Sequence, residues 1–283
     1  MALLERIDGP LPDRERAEHA FAGRLLVFTD VPSLRALCAR LDARAREALG
    51  GLDPQTAQFE LGRDTWLARI DPLQRSGRRD PALRHLFTAA LAEVGVDAQR
   101  TYADKLTLRV VPHGTTHGGG RHSMTAVHRD TWGSNLRAQI NWWTPIYALS
   151  SRRTIAFYPG YWSRPVANTS DAWDFDELLA CRRDGRPYPT VPEPTEPVDP
   201  AAERRIVIEP GELLCFSGAH LHASVSNDSA RTRFSLETRT VNLDDLRAER
   251  GAPNVDGLGT KRMFRWFARL SDGAALSAAM ESA

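Results

Sequence analysis

The sequence predicts a mainly β fold with flanking helices, built around a double-sheet barrel of the jelly-roll type. Three observations lead there. The first hundred residues carry helical periodicity, and from Lys105 the apolar pattern switches to a period of two. Eight short strand-like runs then follow, separated by turn signals such as HGTTHGGG, WGSN, EPGE and SNDS.

The elements follow in order. VPSLRALCARLDARAREALG (31–50) places Leu34, Leu37, Cys38, Leu41, Ala45 and Leu49 at three- and four-residue spacing, with Pro32 near its start and Gly50 after it. DPALRHLFTAALAEVG (80–95) repeats the pattern, with Asp80 as N-cap, Pro81 in the first turn and Gly95 as terminator. The strand-like runs are 105–111, 123–130, 137–146, 153–159, 204–210, 212–218, 220–225 and 231–241. Residues 160–203 interrupt them with a short helical piece near 172–182 and a Pro-rich stretch. An insertion of that length in a sheet domain predicts a lid or binding loop. The tail 261–280 reads as a closing helix. The whole, 1–283, reads as one domain: a helical lead-in (1–104), a β core (105–242) and a helical tail (243–283).

Bulk properties narrow the class. The chain has 283 residues, 42% hydrophobic and 26% charged, which is ordinary for a globular protein. A net charge of +1 gives no reason to expect nucleic acid or an anionic membrane surface as partner. Cys38, Cys181 and Cys215 are scattered and odd in number, which argues against structural disulfides and for a reducing cytoplasm. The first residues are broken by charges and prolines and form no signal-peptide core. No apolar run approaches the roughly 20 residues that span a bilayer. The expectation is a cytoplasmic protein.

HRDTWGSNLRAQINWW (128–143) is where chemistry enters. His128 and Asp130 stand two residues apart, so on an extended strand they share a face. His220, His222 and Ser224 likewise share one, and either imidazole could complete a set of three. Two histidines and one carboxylate on one side of a metal leave three positions open, the arrangement of non-haem Fe(II) oxygenases. In RTRFSLETR, alternation puts Arg231, Arg233, Ser235, Glu237 and Arg239 on one face and Phe234 and Leu236 on the other. An arginine with a serine two residues on can hold a carboxylate through a charge-assisted fork and a hydroxyl donor.

With those residues in view, the chain resembles the Fe(II)/2-oxoglutarate-dependent dioxygenases of the double-stranded β-helix (cupin-like) superfamily, and within them the phytanoyl-CoA hydroxylase-like branch. The likeness rests on His128-Arg129-Asp130, GELLCFSGAHLHASVSN (211–227) and Arg233-Phe234-Ser235, and covers roughly residues 105–242. It implies that His128, Asp130 and His222 bind Fe(II), and that Arg233 and Ser235 grip the distal carboxylate of 2-oxoglutarate. His222 is favoured over His220 because the family's second histidine precedes the gripping arginine by eleven residues, as 222 precedes 233. The implied reaction consumes O2 and hydroxylates an unactivated C–H of a small metabolite, with release of succinate and CO2; desaturation or ring closure can follow the same radical. Asp130 argues against halogenation, since related halogenases have a small residue there.

Other readings stand beside this one. A cupin-like metal-dependent isomerase or sugar-modifying protein would use the same barrel without 2-oxoglutarate and would need no Arg233–Ser235 pair. A binding module that had lost its metal would need no His128, Asp130 and His222 together. Trp132 is expected in the substrate pocket. Gln139 and Asn141, sharing a face with Arg137 and Trp143, are expected either to contact the co-substrate or to satisfy buried backbone groups. Arg231 and Arg239 could pair with Glu237 and with lid acids such as Asp174 and Asp176, or Arg239 could bind a substrate carboxylate. His113, His117 and His122 in HGTTHGGGRH fit no compact zinc spacing and are read as an entrance loop.

Overall fold

The computed structural model describes residues 3–77, 80–115 and 125–281. Among them eleven strands form: β1 (Leu4–Asp8), β2 (Leu25–Thr29), β3 (Thr101–Ala103), β4 (Thr107–Val111), β5 (Gln139–Pro145), β6 (Ile155–Phe157), β7 (Arg204–Ile206), β8 (Leu213–Ser217), β9 (His222–Ser224), β10 (Arg233–Asn242) and β11 (Ala268–Arg269). Helices are α1 (Asp13–Phe21), α2 (Pro32–Ala48), α3 (Ala57–Leu61), α4 (Arg63–Gly77), α5 (Pro81–Glu93), α6 (Asp130–Ser134), α7 (Phe175–Asp184), α8 (Leu243–Arg247) and α9 (Leu276–Glu281).

One sheet runs β1-β2-β8-β5-β10-β3-β11, with β4 also paired to β10; a second runs β7-β6-β9. Side-chain alternation decides what lies on each face of the large sheet. Leu26 and Phe28 of β2, Trp142 of β5, Cys215 of β8 and Phe234 and Leu236 of β10 pack into one cluster with Leu34, Leu37 and Leu41 of α2, Ile70 of α4 and Phe87 of α5. Their neighbours Leu25, Val27, Trp143, Leu214 and Phe216 face the other way, onto Ile155, Phe157 and Ile206 of the small sheet. The order is therefore helices, large sheet, small sheet. The protein is mixed helix and sheet rather than mainly β, and the two facing sheets do not close into the expected barrel.

Seven of the eight strand-like runs hold strands; in the run 123–130 the described residues, 125–130, form none. Among them only His128 makes a bridge, to His222, and Asp130 already opens α6. That helix ends at Asn135, whose left-handed backbone (φ 51°) closes the turn WGSN announces. β1 and β2 were read as helical lead-in. They pair in parallel through the α1 crossover, and β2 joins β8. LLVFT is buried on both faces, so it shows no alternation to find. The tail is not one helix either. Asp272 and Gly273 (φ 78°) turn the chain so that Ala268 bridges Ala275, leaving β11 and the short α9. The loop 113–122 lies largely outside the described residues, with His117 and His122. No helix among the described residues is long and apolar enough to cross a membrane.

α2 and α5 form where expected. Asp80 caps α5, accepting from the Ala82 and Leu83 amides, and its other oxygen takes Arg44 of α2 at 2.6 Å. Gly95 (φ 89°) ends the segment where a Cβ would stand 2.5 Å from the Leu11 carbonyl. Asp80→Ala is expected to lower the unfolding free energy by about 1–2 kcal/mol, and Asp80→Asn, which keeps a capping oxygen, by less. Urea titration of the three proteins checks the order; equal midpoints would remove the cap from the account.

Candidate metal centre

Three elements meet at His128, Asp130 and His222. His128 and His222 are joined by reciprocal backbone bonds of 3.0 Å in each direction. That bridge brings their rings together, with centroids 4.4 Å apart and planes tilted by 46°. Asp130, at the first position of α6, turns its carboxylate toward both. His128 Nε2 lies 3.8 Å from Asp130 Oδ1 and His222 Nε2 lies 3.6 Å from Asp130 Oδ2. One ligand atom from each of the three lies within 4.8 Å of the others. The expected face-sharing along one strand is thus replaced by a strand bridge and a helix start, with the same convergence.

Hydrogen bonding fixes what these atoms offer. His128 Nδ1 meets the Ala126 carbonyl at 2.8 Å, and His222 Nδ1 meets the His220 carbonyl at 3.0 Å. A carbonyl only accepts, so each Nδ1 carries a proton and, in the neutral ring, each Nε2 presents a lone pair inward. The two Nε2 atoms, on buried rings, and the Asp130 carboxylate, 11% exposed, point at one another. A cation relieves that arrangement, and Nδ1–H bonded to a carbonyl is how a metal-binding imidazole is oriented. The donor set fits a divalent metal with open positions.

Charge agrees with the geometry. Burial, then repulsion from the neighbouring His128, pushes the His222 imidazole down to about 3, the neutral form that binds metal. Burial opposes ionisation of Asp130, but His128 and the Arg239 guanidinium outweigh it and hold the carboxyl well below its ordinary range. Behind His222 stand Phe157, stacked at 5.9 Å, and Phe216, edge-on at 5.2 Å.

The remaining sequence-predicted residues fall in several places. Arg233 and Ser235 share the face of β10 that looks toward the small sheet, and both are buried. Arg233 donates to the Thr154 carbonyl (2.6 Å) and the Ser224 hydroxyl (3.2 Å), while its Nε and Ser235 Oγ have no hydrogen-bond partner among the described residues. Gln139 donates to Asn141 at 2.8 Å, and Asn141 donates to Asp130 Oδ2. Trp132, expected as a pocket wall, is only 2% exposed and gives its indole N–H to Asp256 at 2.7 Å; its polar atom is committed to the structure. His220 lies outside the trio, its ring 4.5 Å from that of Trp162. Arg239 pairs with Asp104 and Asp130, not with lid acids. Those acids bind the tail instead, Asp174 to Lys261 and Asp176 to Arg265, and Glu237 takes Arg109.

Three residues with work at the site were not singled out from the sequence. Arg129, between the two ligands, is 2% exposed and donates to Asp256, to the Ala219 carbonyl and to the Tyr161 and Arg164 carbonyls. Asp256 also accepts from the Val166 amide at 3.0 Å. Asp104 holds Arg239 at 2.8 Å. Arg129 was visible inside its motif; Asp104 and Asp256 sit in turns, where an acidic residue carries no distinguishing signal.

Burial also pushes His220 down to about 4. Below pH 6.5 the unfolded chain protonates His220 and His222 while the folded chain does not, so stability is full above 6.5 and falls as pH drops. Each histidine contributes a slope of about 1.4 kcal/mol per pH unit in that window. His220→Gln in the apo protein is expected to flatten the curve between pH 5.5 and 4.5 by one proton's worth. Urea unfolding at several pH values measures this, and an unchanged slope would contradict a neutral buried His220.

No family model matches the chain, and no curated protein matches it. Among solved structures it is similar to the non-heme alpha ketoglutarate dependent carbocyclase SnoK from nogalamycin biosynthesis, at 16% identity over 92% of this chain and 98% of that one, with a TM-score of 0.47. EvdO2 from Micromonospora carbonacea var. aurantiaca is 12% identical over 84% and 94% of the two chains, with a TM-score of 0.47. The non-heme monooxygenase ThoJ, in its apo form, is 15% identical over 80% and 77%, with a TM-score of 0.40. Likeness at this level leaves reaction and substrate to be argued from the site itself.

Proposed function

We propose that the protein is an Fe(II)- and 2-oxoglutarate-dependent oxygenase acting on a small molecule. The observation that supports this most is the state of Arg233. Arg233 is 3% exposed, and among the described residues no carboxylate lies in salt-bridge contact with it. Burial and then Arg109 push it down to about 10 against the weaker pull of the more distant Glu237, yet it stays charged at neutral pH. A buried cation without a counter-ion is costly, and the Nε and Ser235 Oγ left open beside it are donors for an incoming anion.

Position selects the anion. Arg233 Nη2 lies 3.2 Å from Ser224 Oγ, and Ser224 stands two residues beyond His222 on β9, about 6.6 Å along the strand. A ligand reaching from a metal at His222 to Arg233 therefore needs acidic groups at both ends of a short chain, which is the form of a five-carbon keto-diacid. An isomerase or sugar-modifying cupin has no use for this second anchor.

In this reading His128, Asp130 and His222 hold Fe(II), and Arg233 with Ser235 binds the far carboxylate of 2-oxoglutarate. When bound, the pair supplies the O2-dependent oxidant for hydroxylating an unactivated C–H, with succinate and CO2 released. Phe157 and Phe216 keep water from the back of His222. Residues 160–203 form the cover over the open side, where a small metabolite would enter.

Anaerobic titration of the protein with Fe(II) and then 2-oxoglutarate is expected to raise a weak visible charge-transfer band as the keto-acid chelates the metal. Arg233→Gln should weaken 2-oxoglutarate roughly tenfold to a hundredfold, the worth of about 1.5–3 kcal/mol for a charged hydrogen bond, with Fe(II) affinity unchanged. A protein that takes up Fe(II) but shows no band at saturating 2-oxoglutarate would refute the proposal.

A further inference from the structure

Asn141 of β5 and Arg239 of β10 are direct register partners across the large sheet. Side chains so paired lie about 5 Å apart on one face, and these two reach the same carboxylate from opposite sides. Asn141 donates to Asp130 Oδ2; Arg239 Nη1 donates to Asp130 Oδ1 at 3.3 Å. Each is braced from behind. Gln139 Nε2 donates to Asn141 Oδ1 at 2.8 Å, and Gln139 is itself wedged where a Cβ on Gly218 would stand 2.8 Å away. Asp104 accepts from Arg239 Nε at 2.8 Å and from the Arg239 amide at 3.0 Å. Trp266 covers the guanidinium, its ring centre 5.5 Å away.

The charges matter as much as the contacts. Arg239 places a positive charge beside the residue that must attract a divalent cation. Alone it would weaken metal binding, because it would cancel Asp130 and repel the ion. Asp104 stands on its far side, buried with 6% of its side chain exposed. Asp104 and Arg239 together are neutral, so the negative charge of Asp130 remains available. The guanidinium keeps its directional N–H without imposing its charge.

We propose that Asn141 and the Asp104–Arg239 pair are positioning residues. They form a clamp that occupies one lone pair on each Asp130 oxygen, so that Asp130 binds metal through one oxygen and leaves the remaining metal positions open. This rests on the metal reading above. The clamp, unlike a merely structural ion pair, makes the sign of each substitution predictable. Asp104→Asn strands the charge of Arg239 next to the metal and weakens binding. Removing that charge as well, in Asp104→Asn/Arg239→Gln, restores part of the loss although two native interactions are gone.

The test is Co(II) binding to the full chain, read by calorimetry and by the visible ligand-field spectrum. The expected results are a Kd at least tenfold weaker for Asp104→Asn, recovery of at least threefold in the double variant, and a changed ligand-field spectrum for Asn141→Ala, as the freed oxygen also turns to the metal. Arg239→Lys, which keeps the charge but can make only point contacts, should bind Co(II) with a changed spectrum even where Asp104→Asn folds poorly. Variants that bind Co(II) as the unaltered protein does, with the same spectrum, overturn the clamp. A double variant no better than Asp104→Asn overturns the charge argument. If the unaltered protein binds no Co(II), the metal reading itself fails.

Discussion

Asp130 has to remain an anion in a place almost closed to water. Taking a carboxylate out of solvent costs several kcal/mol unless donors and opposite charge replace the lost hydration, and much around it can be read as that replacement. Asn141 and Arg239 supply the donors. The two imidazoles turn their Nε2 atoms to the same point. A cation bound among the three, as proposed, would answer all of them, so one local electrostatic problem, posed by a helix that begins at Asp130, would account for the choice of residues on three separate strands.

Strand β10 carries the matching problem at its other end. Its inner face runs Arg233, Ser235, Glu237, Arg239, and its outer face holds Phe234 and Leu236 against the helices. Arg233 and Ser235 are buried at one end of this row, while the side chains of Glu237 and Arg239 stay 31% and 28% exposed. Glu237 is answered by Arg109 and Arg239 by two aspartates. In this row Arg233 is left without an ion pair among the described residues, with Ser224 3.2 Å from its Nη2. In the proposed reading the sheet thereby spaces this charge from the metal centre, as a ligand with two acidic ends would require.

How much of this could be read from the chain depends on whether a residue's environment was periodic. α2 and α5 were legible with their caps, because one buried face and an N-cap leave a pattern in the letters. The alternation of β10 was legible for the same reason, and with it the shared face of Arg233 and Ser235. β2 was not, since LLVFT is enclosed on both sides and strand and helix then look alike. Asp130 was read on a strand and starts a helix; a single His-x-Asp cannot tell an extended turn from a ladder. That the indole of Trp132, next to the ligands in sequence, donates to Asp256 more than a hundred residues away was not legible. Long-range pairings of that kind leave no local trace.

The side chain of Arg129 ties three other stretches of chain to its own: the carbonyls at 161 and 164 where the insertion begins, the carbonyl at 219 just ahead of His222, and the carboxylate of Asp256. Asp256 in turn holds the Val166 amide and the Trp132 indole. The residue wedged between two of the proposed ligands is therefore also the knot joining the root of the 160–203 insertion to the distal part of the polypeptide. Loosening the insertion at its base and disturbing His128 and Asp130 become one event. If the insertion covers the site as proposed, changes that retune substrate choice should accumulate toward its outer part, away from that knot.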